Sequence, residues 1–297
     1  MRINTYIFFT IVMKVTSFIF KKWNGLFHSH YRTSAASINN QLIRTLNNKQ
    51  IYGDNDIERF YKENEYMRGK KIITISPGGF KGFYMLGICK YLKEHYDLSD
   101  YIFTGASAGS WNALLLCSNK SMQEIEDSVF DDELQSAKSI YDLEMMMKHR
   151  LLTAHKSEDF ELNRLFIGVT TVKNYNSDTT IFSGFENLED ALNCCVASSH
   201  IPLISGNLTT TYQNTLAFDG GFSRYPYLNT TASALHITPG MWGRKNITLS
   251  YKKERMSLSD YTTLFSKNSF IFKDLIAYGY NDTQKNKGVL DDIFTKL

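Results

Sequence analysis

A serine set between small residues is the first feature of the sequence with evident chemistry. Residues 105–109 read Gly-Ala-Ser-Ala-Gly, which is the G-x-S-x-G pattern of a nucleophile elbow. Such an elbow holds its serine on a strained turn between a strand and a helix, and small neighbours let the two elements pass closely. The pattern predicts Ser107 as a nucleophile, and the alternative is an ordinary tight turn. The small residues of the turn are Gly105, Ala106, Ala108 and Gly109.

An aspartate followed by two glycines is the second chemical candidate. Asp219-Gly220-Gly221 follows a short apolar run at 216–218, so its carboxylate is expected in a loop at a strand end. A serine hydroxyl is a poor nucleophile until a base takes its proton, and a partly desolvated carboxylate is a suitable base. We predict Asp219 as this base, facing the same sheet edge as Ser107 if its strand is parallel. In the alternative, Asp219 only stabilises a turn.

A glycine loop upstream of the serine is the third candidate. Residues 77–82 read Pro-Gly-Gly-Phe-Lys-Gly. Its N–H groups, and those at the start of the helix after Ser107, favour a developing oxyanion. A P-loop is excluded because Phe83 stands where Ser or Thr is required, and a dinucleotide fingerprint needs a glycine at Pro77. We expect the oxyanion hole at Gly78, Gly79, Phe80, Lys81 and Gly82.

One β-α-β unit is predicted to position the glycine loop beside the elbow. β-branched residues at 72–75 predict a strand, helical apolar spacing predicts a helix over 83–96, and a second apolar strand leads into Ser107. Parallel strands with a right-handed crossover bring both loops to the same sheet edge. Further strands are predicted at 165–172, 180–185, 216–218 and 235–238, and helices at 121–155 and 187–200.

Four motifs occur in a fixed order: GGFKG at 78–82, GASAG at 105–109, ASSHIP at 197–202 and DGG at 219–221. In this order and at these separations they resemble the patatin-like phospholipase domain, most closely its subgroup with the adipose triglyceride lipase and adiponutrin. The resemblance covers roughly residues 70–249. It implies a three-layer α/β/α sandwich with a mainly parallel central sheet.

The same resemblance implies an activity. The expected enzyme is a serine carboxylic-ester hydrolase, a phospholipase A or acylglycerol lipase, with a Ser107–Asp219 dyad and an acyl-serine intermediate. Hydrolysis and acyl transfer both remain open. The implied substrate is a phospholipid or acylglycerol at a membrane or lipid-droplet surface, and the implied chemistry needs neither a metal nor a cofactor.

Three residues depart from the family pattern. Pro77 stands where a third glycine is usual, and it removes one N–H donor. Pro226 lies one residue nearer Asp219 than the related proline, and His200 replaces a residue that is commonly not histidine. Because Ser107 and Asp219 are intact, we interpret these departures as changes in tuning.

Two rival functions remain open from the sequence. An α/β-hydrolase triad would use Ser107, Asp219 and His236, which occur in the order that fold uses. His236 lies inside a predicted strand, where a lone histidine is more often structural. A catalytically silent lipid-binding scaffold is favoured only by Pro77, and the intact Ser107 and Asp219 oppose it.

The 297 residues divide into three predicted regions: an N-terminal segment at 1–65, the acyl hydrolase domain at 66–250 and a helical extension at 251–297. Residues 1–53 hold seven Lys or Arg and no acid, and their first half is apolar. This composition is typical of a signal anchor, a cleaved signal or an organellar transit peptide, so we expect membrane association or targeting. The alternative is an apolar helix packed on the domain. The net charge of +3 is too small to indicate nucleic acid.

Several further patterns leave alternatives. Lys81 and Arg224 flank the predicted site and would suit a phospholipid head group, although Lys81 equally suits packing or capping of the loop. The run Met145-Met146-Met147 lines an acyl channel or, more commonly, packs in a core. Helices are predicted at 261–265 and 270–278, with a loop at 281–287, and this tail covers the sheet edge or docks on lipid. The spacing of the four cysteines indicates neither a disulfide framework nor a metal site.

Overall fold

The computed structural model describes residues 64–243 and 271–297, apart from 174, 175, 224, 231 and 232, together with Lys62 and a short strand at 46–47. Apart from residues 46, 47, 62, 64 and 65, the predicted N-terminal targeting segment lies outside the described residues, as do the predicted helix at 261–265 and Arg224. The expectations for these parts of the chain remain predictions.

Eight strands of the described chain form one mixed sheet: β1 Leu46–Asn47, β2 Lys71–Ile75, β3 Tyr101–Ala106, β4 Leu165–Lys173, β5 Asn176–Phe182, β6 Thr210–Tyr212, β7 Thr215–Phe218 and β8 Ser233–Ile237. Six of them lie side by side in the order β1-β5-β4-β3-β2-β8, and β7 pairs with both β4 and β6. The strands β8, β2, β3 and β4 are parallel neighbours, whereas β5, β1, β6 and β7 pair antiparallel. The parallel β2–β3 pair places the glycine loop and the Ser107 turn at one edge of the sheet, as predicted.

Eight α-helices lie in the described ranges. They are α1 Gly82–His95, α2 Ala108–Leu116, α3 Met122–Val129, α4 Asp132–Gln135, α5 Ile140–Ala154, α6 Leu188–Ser198, α7 Phe272–Lys285 and α8 Lys287–Asp291. The predicted continuous helix over 121–155 is wrong, because α3, α4 and α5 replace it. Each of the three begins at its own polar cap, Ser121, Asp131 or Ser139, whose side chain accepts a backbone N–H of the following turn.

Alternating strand residues divide the core between the two faces of the sheet. Ile73 and Ile75 of β2 join the larger apolar cluster, to which α1, α2, α3, α5, α6 and α7 contribute. Ile72 of β2 and Ile102 of β3 face a smaller cluster with Phe166. Both faces are therefore buried, which explains the nearly continuous apolar runs in β2 and β3.

The C-terminal helix α7 packs directly on α1, backbone against backbone. A Cβ added at Gly87 would lie 2.0 Å from the carbonyl oxygen of Ile276, and one added at Gly279 would lie 1.9 Å from that of Tyr84. The loop predicted at 281–287 is wrong, because α7 continues to Lys285. Its polar residues make tertiary contacts, including a 3.0 Å bond from the Tyr84 hydroxyl to Asp282.

Candidate active site

The predicted elbow is a sharp junction between β3 and α2. Ser107 is the single residue between Ala106, the last of β3, and Ala108, the first of α2. Its backbone has φ 53° and ψ −131°, a strained conformation for a residue with a side chain. A Cβ added at Gly105 would lie 2.2 Å from the Gly109 carbonyl oxygen, and one at Gly109 would lie 2.2 Å from that of Ile75. Only glycine fits at these two positions.

The Ser107 hydroxyl donates a hydrogen bond to the carboxylate of Asp219. The distance from Oγ to Oδ2 is 2.8 Å, and the two residues are only 5% and 4% exposed. The second carboxylate oxygen, Oδ1, accepts the Gly221 N–H at 2.6 Å. The carboxylate is thus held at both oxygens, with one of them directed at the serine.

Asp219 reaches the serine by a different route from the one expected. Its strand β7 runs antiparallel to β4, so the parallel arrangement under which the sequence places Asp219 beside Ser107 is absent. However, β3 pairs with residues 165–168 of β4, and β7 pairs with residues 170–172 on the same side. The C-terminal ends of β3 and β7 therefore meet head-on along β4, and the Asp219 loop arrives directly at Ser107.

Burial raises the pKa of Asp219 from its ordinary value of 3.8 to about 6, although the hydrogen bonds from Ser107 and Gly221 lower it. With a pKa of about 6, the Asp219 carboxylate is ionised at neutral pH and is more basic than the carboxylate of an exposed aspartate. It is well suited to accept a proton from the adjacent hydroxyl.

Two backbone contacts of Asp219 fix its loop. The Asp219 N–H donates to the carbonyl oxygen of His200 at 2.8 Å, and the Thr170 hydroxyl donates to the Asp219 carbonyl oxygen at 2.8 Å. The unusual residue His200 is buried and its Nε2 lies 2.9 Å from the Asn207 carbonyl oxygen. Burial lowers the pKa of the His200 imidazole. Its contact with the site is made by the backbone.

Ser198 supports the strained elbow, and the sequence reasoning assigned it no role. Its hydroxyl accepts the Ser107 N–H at 2.8 Å and donates to the Gly168 carbonyl oxygen at 2.7 Å. The Ser107 N–H is therefore occupied. Ser198 lies in the ASSHIP motif, so the motif marked the position without revealing the contact.

The glycine loop forms a short 3-10 turn, Gly79–Lys81, that leads directly into α1. The N–H groups of Lys81 and Gly82 donate to carbonyl oxygens within this turn. Within the described residues, no acceptor pairs with the N–H groups of Gly79, Phe80 or Ala108. Gly78, which is also predicted to belong to the oxyanion hole, comes just before the turn and has an extended φ of −159°.

Pro77 joins the glycine loop to the aspartate loop. A Cβ added at Gly221 would lie 3.1 Å from the Pro77 Cβ and 2.9 Å from the Asp219 Oδ1. Gly220 is equally confined, because a Cβ there would lie 2.2 Å from the Gly168 carbonyl oxygen. The two glycines after Asp219 therefore allow three loops to meet at the serine.

An apolar cavity of about 70 Å³ opens beside Ser107. Its walls come mainly from α1, α2 and α5, and Met147 is the member of the methionine run that lines it. The residues around the cavity are Gly79, Phe80, Gly82, Phe83, Leu86, Ser107, Ala108, Trp111, Asn112, Leu115, Phe130, Ile140, Leu143, Glu144, Met147, Ser199 and Ile201. Such a lining accommodates an aliphatic group next to the nucleophile.

His236 of the rival triad is engaged elsewhere. It lies in β8, and its Nε2 is 2.8 Å from the Ser76 hydroxyl oxygen. Burial lowers the pKa of His236 to about 4, so its ring is neutral at pH 7. In a triad the histidine stands between serine and acid, whereas Ser107 and Asp219 bond to each other directly.

The described residues offer neither a metal site nor a membrane-spanning helix. These residues contain no group of three or more His, Cys, Asp or Glu suited to a metal ion. None of the helices described is both long and apolar enough to cross a membrane. The four cysteines are free and buried.

Comparison with known proteins gives consistent matches. A family model described as patatin-like phospholipase matches residues 73–228. Human patatin-like phospholipase domain-containing protein 4 is 26% identical over 242 residues, which are 72% of this chain and 94% of that protein. The mouse patatin-like phospholipase domain-containing protein 2 is 22% identical over 178 residues, 56% of this chain and 36% of that protein.

A further relative carries a different activity in its name. Human 1-acylglycerol-3-phosphate O-acyltransferase PNPLA3 is 23% identical over 204 residues, 65% of this chain and 42% of that protein. The matches confirm the resemblance inferred from the four motifs. They also confirm the fold class, a mainly parallel mixed sheet with helices on both sides, as in an α/β/α sandwich.

Proposed function

Because this chain belongs to the patatin-like phospholipase family, we propose that it hydrolyses fatty acyl esters of lipids, with Ser107 as nucleophile and Asp219 as base. The observation that carries the proposal is the 2.8 Å hydrogen bond between the Ser107 hydroxyl and the Asp219 carboxylate, both buried beside an apolar cavity. A hydroxyl on a strained elbow, bonded to a carboxylate of raised pKa, is an activated nucleophile.

In the acylation step Ser107 Oγ attacks the ester carbonyl carbon while its proton passes to Asp219 Oδ2. The carbonyl oxygen becomes an oxyanion in a tetrahedral intermediate. When this intermediate collapses, the carbon–oxygen bond to the alcohol breaks, and Asp219 returns the proton to the leaving oxygen. The products are an acyl-Ser107 ester and the free alcohol, with Asp219 ionised again.

The oxyanion needs donors that no other group occupies. The N–H groups of Gly79, Phe80 and Ala108 meet this requirement within the described residues, and all three residues line the cavity with Ser107. The N–H groups of Ser107, Lys81 and Gly82 are used in the fold. We therefore assign the oxyanion hole to the N–H groups of Gly79 and Phe80, at the start of the 3-10 turn, and of Ala108, at the start of α2.

In the deacylation step water attacks the acyl-Ser107 carbonyl carbon and gives its proton to Asp219. Collapse releases the fatty acid and returns the proton to Ser107 Oγ. If an alcohol replaces water in this step, the same intermediate yields an acyl ester, which is acyl transfer. The acyltransferase name of one relative favours this second candidate activity.

The substrate we propose is a phospholipid or acylglycerol presented at a membrane or lipid-droplet surface. The apolar lining of the cavity suits the acyl part of either lipid. The apolar and basic N-terminal segment suits association with such a surface, and we keep membrane association or targeting as its proposed role. Lys81 and Arg224 remain proposed contacts for a charged head group.

The test is fatty acid release by the full chain from phospholipid vesicles and from emulsified triacylglycerol. Ser107→Ala and Asp219→Asn are each expected to lower the release at least about a thousandfold, because each removes a member of the dyad. Ser136→Ala and Asp292→Asn are the matched controls, since both side chains are exposed. A glycerol acceptor added to the assay distinguishes hydrolysis from transfer.

A fluorophosphonate probe gives an independent readout of the nucleophile. Labelling of the native chain that disappears in Ser107→Ala supports the proposal. No labelling together with no release would favour the catalytically silent lipid-binding scaffold. Activity that survives Asp219→Asn and disappears in His236→Ala would instead favour the triad.

A further inference from the structure

The cavity beside Ser107 is small for a lipid chain. Its volume of about 70 Å³ is roughly half of the ~150 Å³ of a protein cavity that holds one benzene molecule. The side chains of α1, α2 and α5 that form its walls are mainly apolar. The cavity therefore suits a short aliphatic group, and a longer chain needs further space beyond one of its walls.

A second and larger space lies between α1, α3 and α7. This groove has a volume of about 730 Å³, and most of the residues that line it are exposed. Its lining mixes charged side chains with Ile276 and Tyr280. Among the described residues, Phe130 alone lines both the cavity and the groove. At Phe130 the two spaces are therefore separated by a wall one residue thick.

The Phe130 ring is held in this wall by contacts on both sides of the residue. It is 5% exposed and meets the ring of Phe83, another wall residue, edge-on with 5.8 Å between the ring centroids. Its backbone joins α3 to α4, and Arg150 Nη1 donates to the Val129 carbonyl oxygen at 2.8 Å and to Asp131 Oδ1 at 2.6 Å. One guanidinium group thus holds the residues before and after Phe130.

We propose that Phe130 is a specificity-determining residue that limits the length of the acyl chain. The inference rests on the proposed function, because it places that chain in the cavity beside Ser107. Carbons that exceed the cavity meet the ring, so the favoured substrate class is an ester with a short acyl chain. Removal of the ring would join the cavity to the groove, where Ile276 and Tyr280 offer apolar contact to a longer chain.

The test compares p-nitrophenyl butyrate, octanoate and palmitate, presented to the full chain in the same detergent micelles. The native chain is expected to show a kcat/KM at least about tenfold higher for butyrate than for palmitate, because methylenes without room in an apolar pocket are strongly disfavoured. Phe130→Ala is expected to raise the palmitate-to-butyrate ratio at least about tenfold, because further methylenes become buried. An unchanged ratio in a folded and active Phe130→Ala would overturn the inference.

Phe294→Ala is the matched control for lost packing. Phe294 is also 5% exposed, its ring packs against Tyr96 and Tyr101, and it lines neither the cavity nor the groove. The control is expected to keep the palmitate-to-butyrate ratio of the native chain. An equal rise of this ratio in both variants would overturn the inference, because it would show that a loosened fold is sufficient.

Two milder substitutions and the native chain keep the inference testable if Phe130→Ala does not fold. Phe130→Leu shortens the wall side chain and should raise the palmitate-to-butyrate ratio, whereas Phe130→Trp enlarges it and should lower the octanoate-to-butyrate ratio. A native kcat/KM for palmitate equal to or above that for butyrate would overturn this inference and leave the proposed function intact. No turnover of any ester, together with no fluorophosphonate labelling, would overturn both.

Discussion

Substitution of Asp219 by asparagine is expected to abolish activity and at the same time to stabilise the protein. The asparagine carbonyl oxygen can accept the Gly221 N–H as Oδ1 does now, and its amide can donate to Ser107 Oγ. The shape of the site is therefore retained. The variant removes a buried negative charge that the native protein must keep ionised at neutral pH.

The magnitude follows from the pKa of Asp219. A rise from 3.8 to about 6 on folding means that the folded protein binds this proton more tightly than the unfolded chain does. Protonated Asp219 therefore contributes to the free energy of unfolding in full below pH 3.8, and this contribution is lost as the pH rises from 3.8 through 6. The loss corresponds to about 3 kcal/mol at pH 8, about 1–2 kcal/mol at pH 5 and less than about 1 kcal/mol at pH 4.

The assay is urea unfolding of the native chain and of Asp219→Asn at pH 4, 5 and 8. Since asparagine does not titrate, the variant should exceed the native chain most at pH 8, and the gap should close as the pH falls. Asp292→Asn, an exposed matched control, should remain within about 0.5 kcal/mol of the native chain at each pH. A variant that is less stable at pH 8, or a gap independent of pH, would refute the reasoning.

The pH profile, the contact of His236 and the packing of α7 on α1 give three further predictions. The kcat/KM for a neutral ester should rise with pH through an apparent pKa of about 6, because Asp219 must be ionised to act as base, and a flat pH–rate profile from 5 to 8 would contradict this role. His236→Ala should keep kcat within about threefold of the native value, measured by fatty acid release, while unfolding becomes easier by about 1–2 kcal/mol because the Ser76 contact is lost. Gly279→Val should lower the free energy of unfolding by more than about 3 kcal/mol in urea titrations, because its Cβ would meet the Tyr84 carbonyl oxygen at 1.9 Å; a stable variant would show that α7 does not need this contact.

The elbow and its flanking elements could be predicted because their information is local. The strand, the small residues and the helix follow one another within residues 101–116. Gly105 is needed because its backbone approaches that of Gly109, and Gly109 is needed because it approaches Ile75 on the neighbouring strand β2. The helix over Gly82–His95 and the parallel pair β2–β3 followed from apolar spacing for the same reason.

The route of Asp219 to the serine could not be predicted from its own surroundings. A four-residue strand carries no sign of whether it pairs parallel or antiparallel, and β7 acquires its direction from β6 and β4. The continuation of α7 through 281–285 was missed for a related reason. Its polar residues are satisfied by Tyr84 and Trp242, which are far away in sequence.

The burial of Glu144 and the contact made by Ser198 were missed because both exist only in the folded chain. Glu144 lies on an amphipathic helix where an acid is normally interpreted as solvent-facing, and only the packing of α5 on α6 and the cavity shows its burial. Ser198 lies at the end of α6, 91 positions from the Ser107 N–H that it accepts. Side-chain chemistry at such distances in sequence leaves no pattern of spacing.

The strand β4 is the common support that holds nucleophile and base at hydrogen-bonding distance. Ser198 connects the Ser107 N–H to the Gly168 carbonyl oxygen, and Thr170 connects the same strand to the Asp219 carbonyl oxygen. The two attachment points are two residues apart on one strand, so a shift of β4 moves Ser107 and Asp219 together. Since a strained elbow persists only where its surroundings over-determine it, the precision of the dyad depends on these supports as much as on the two reacting side chains.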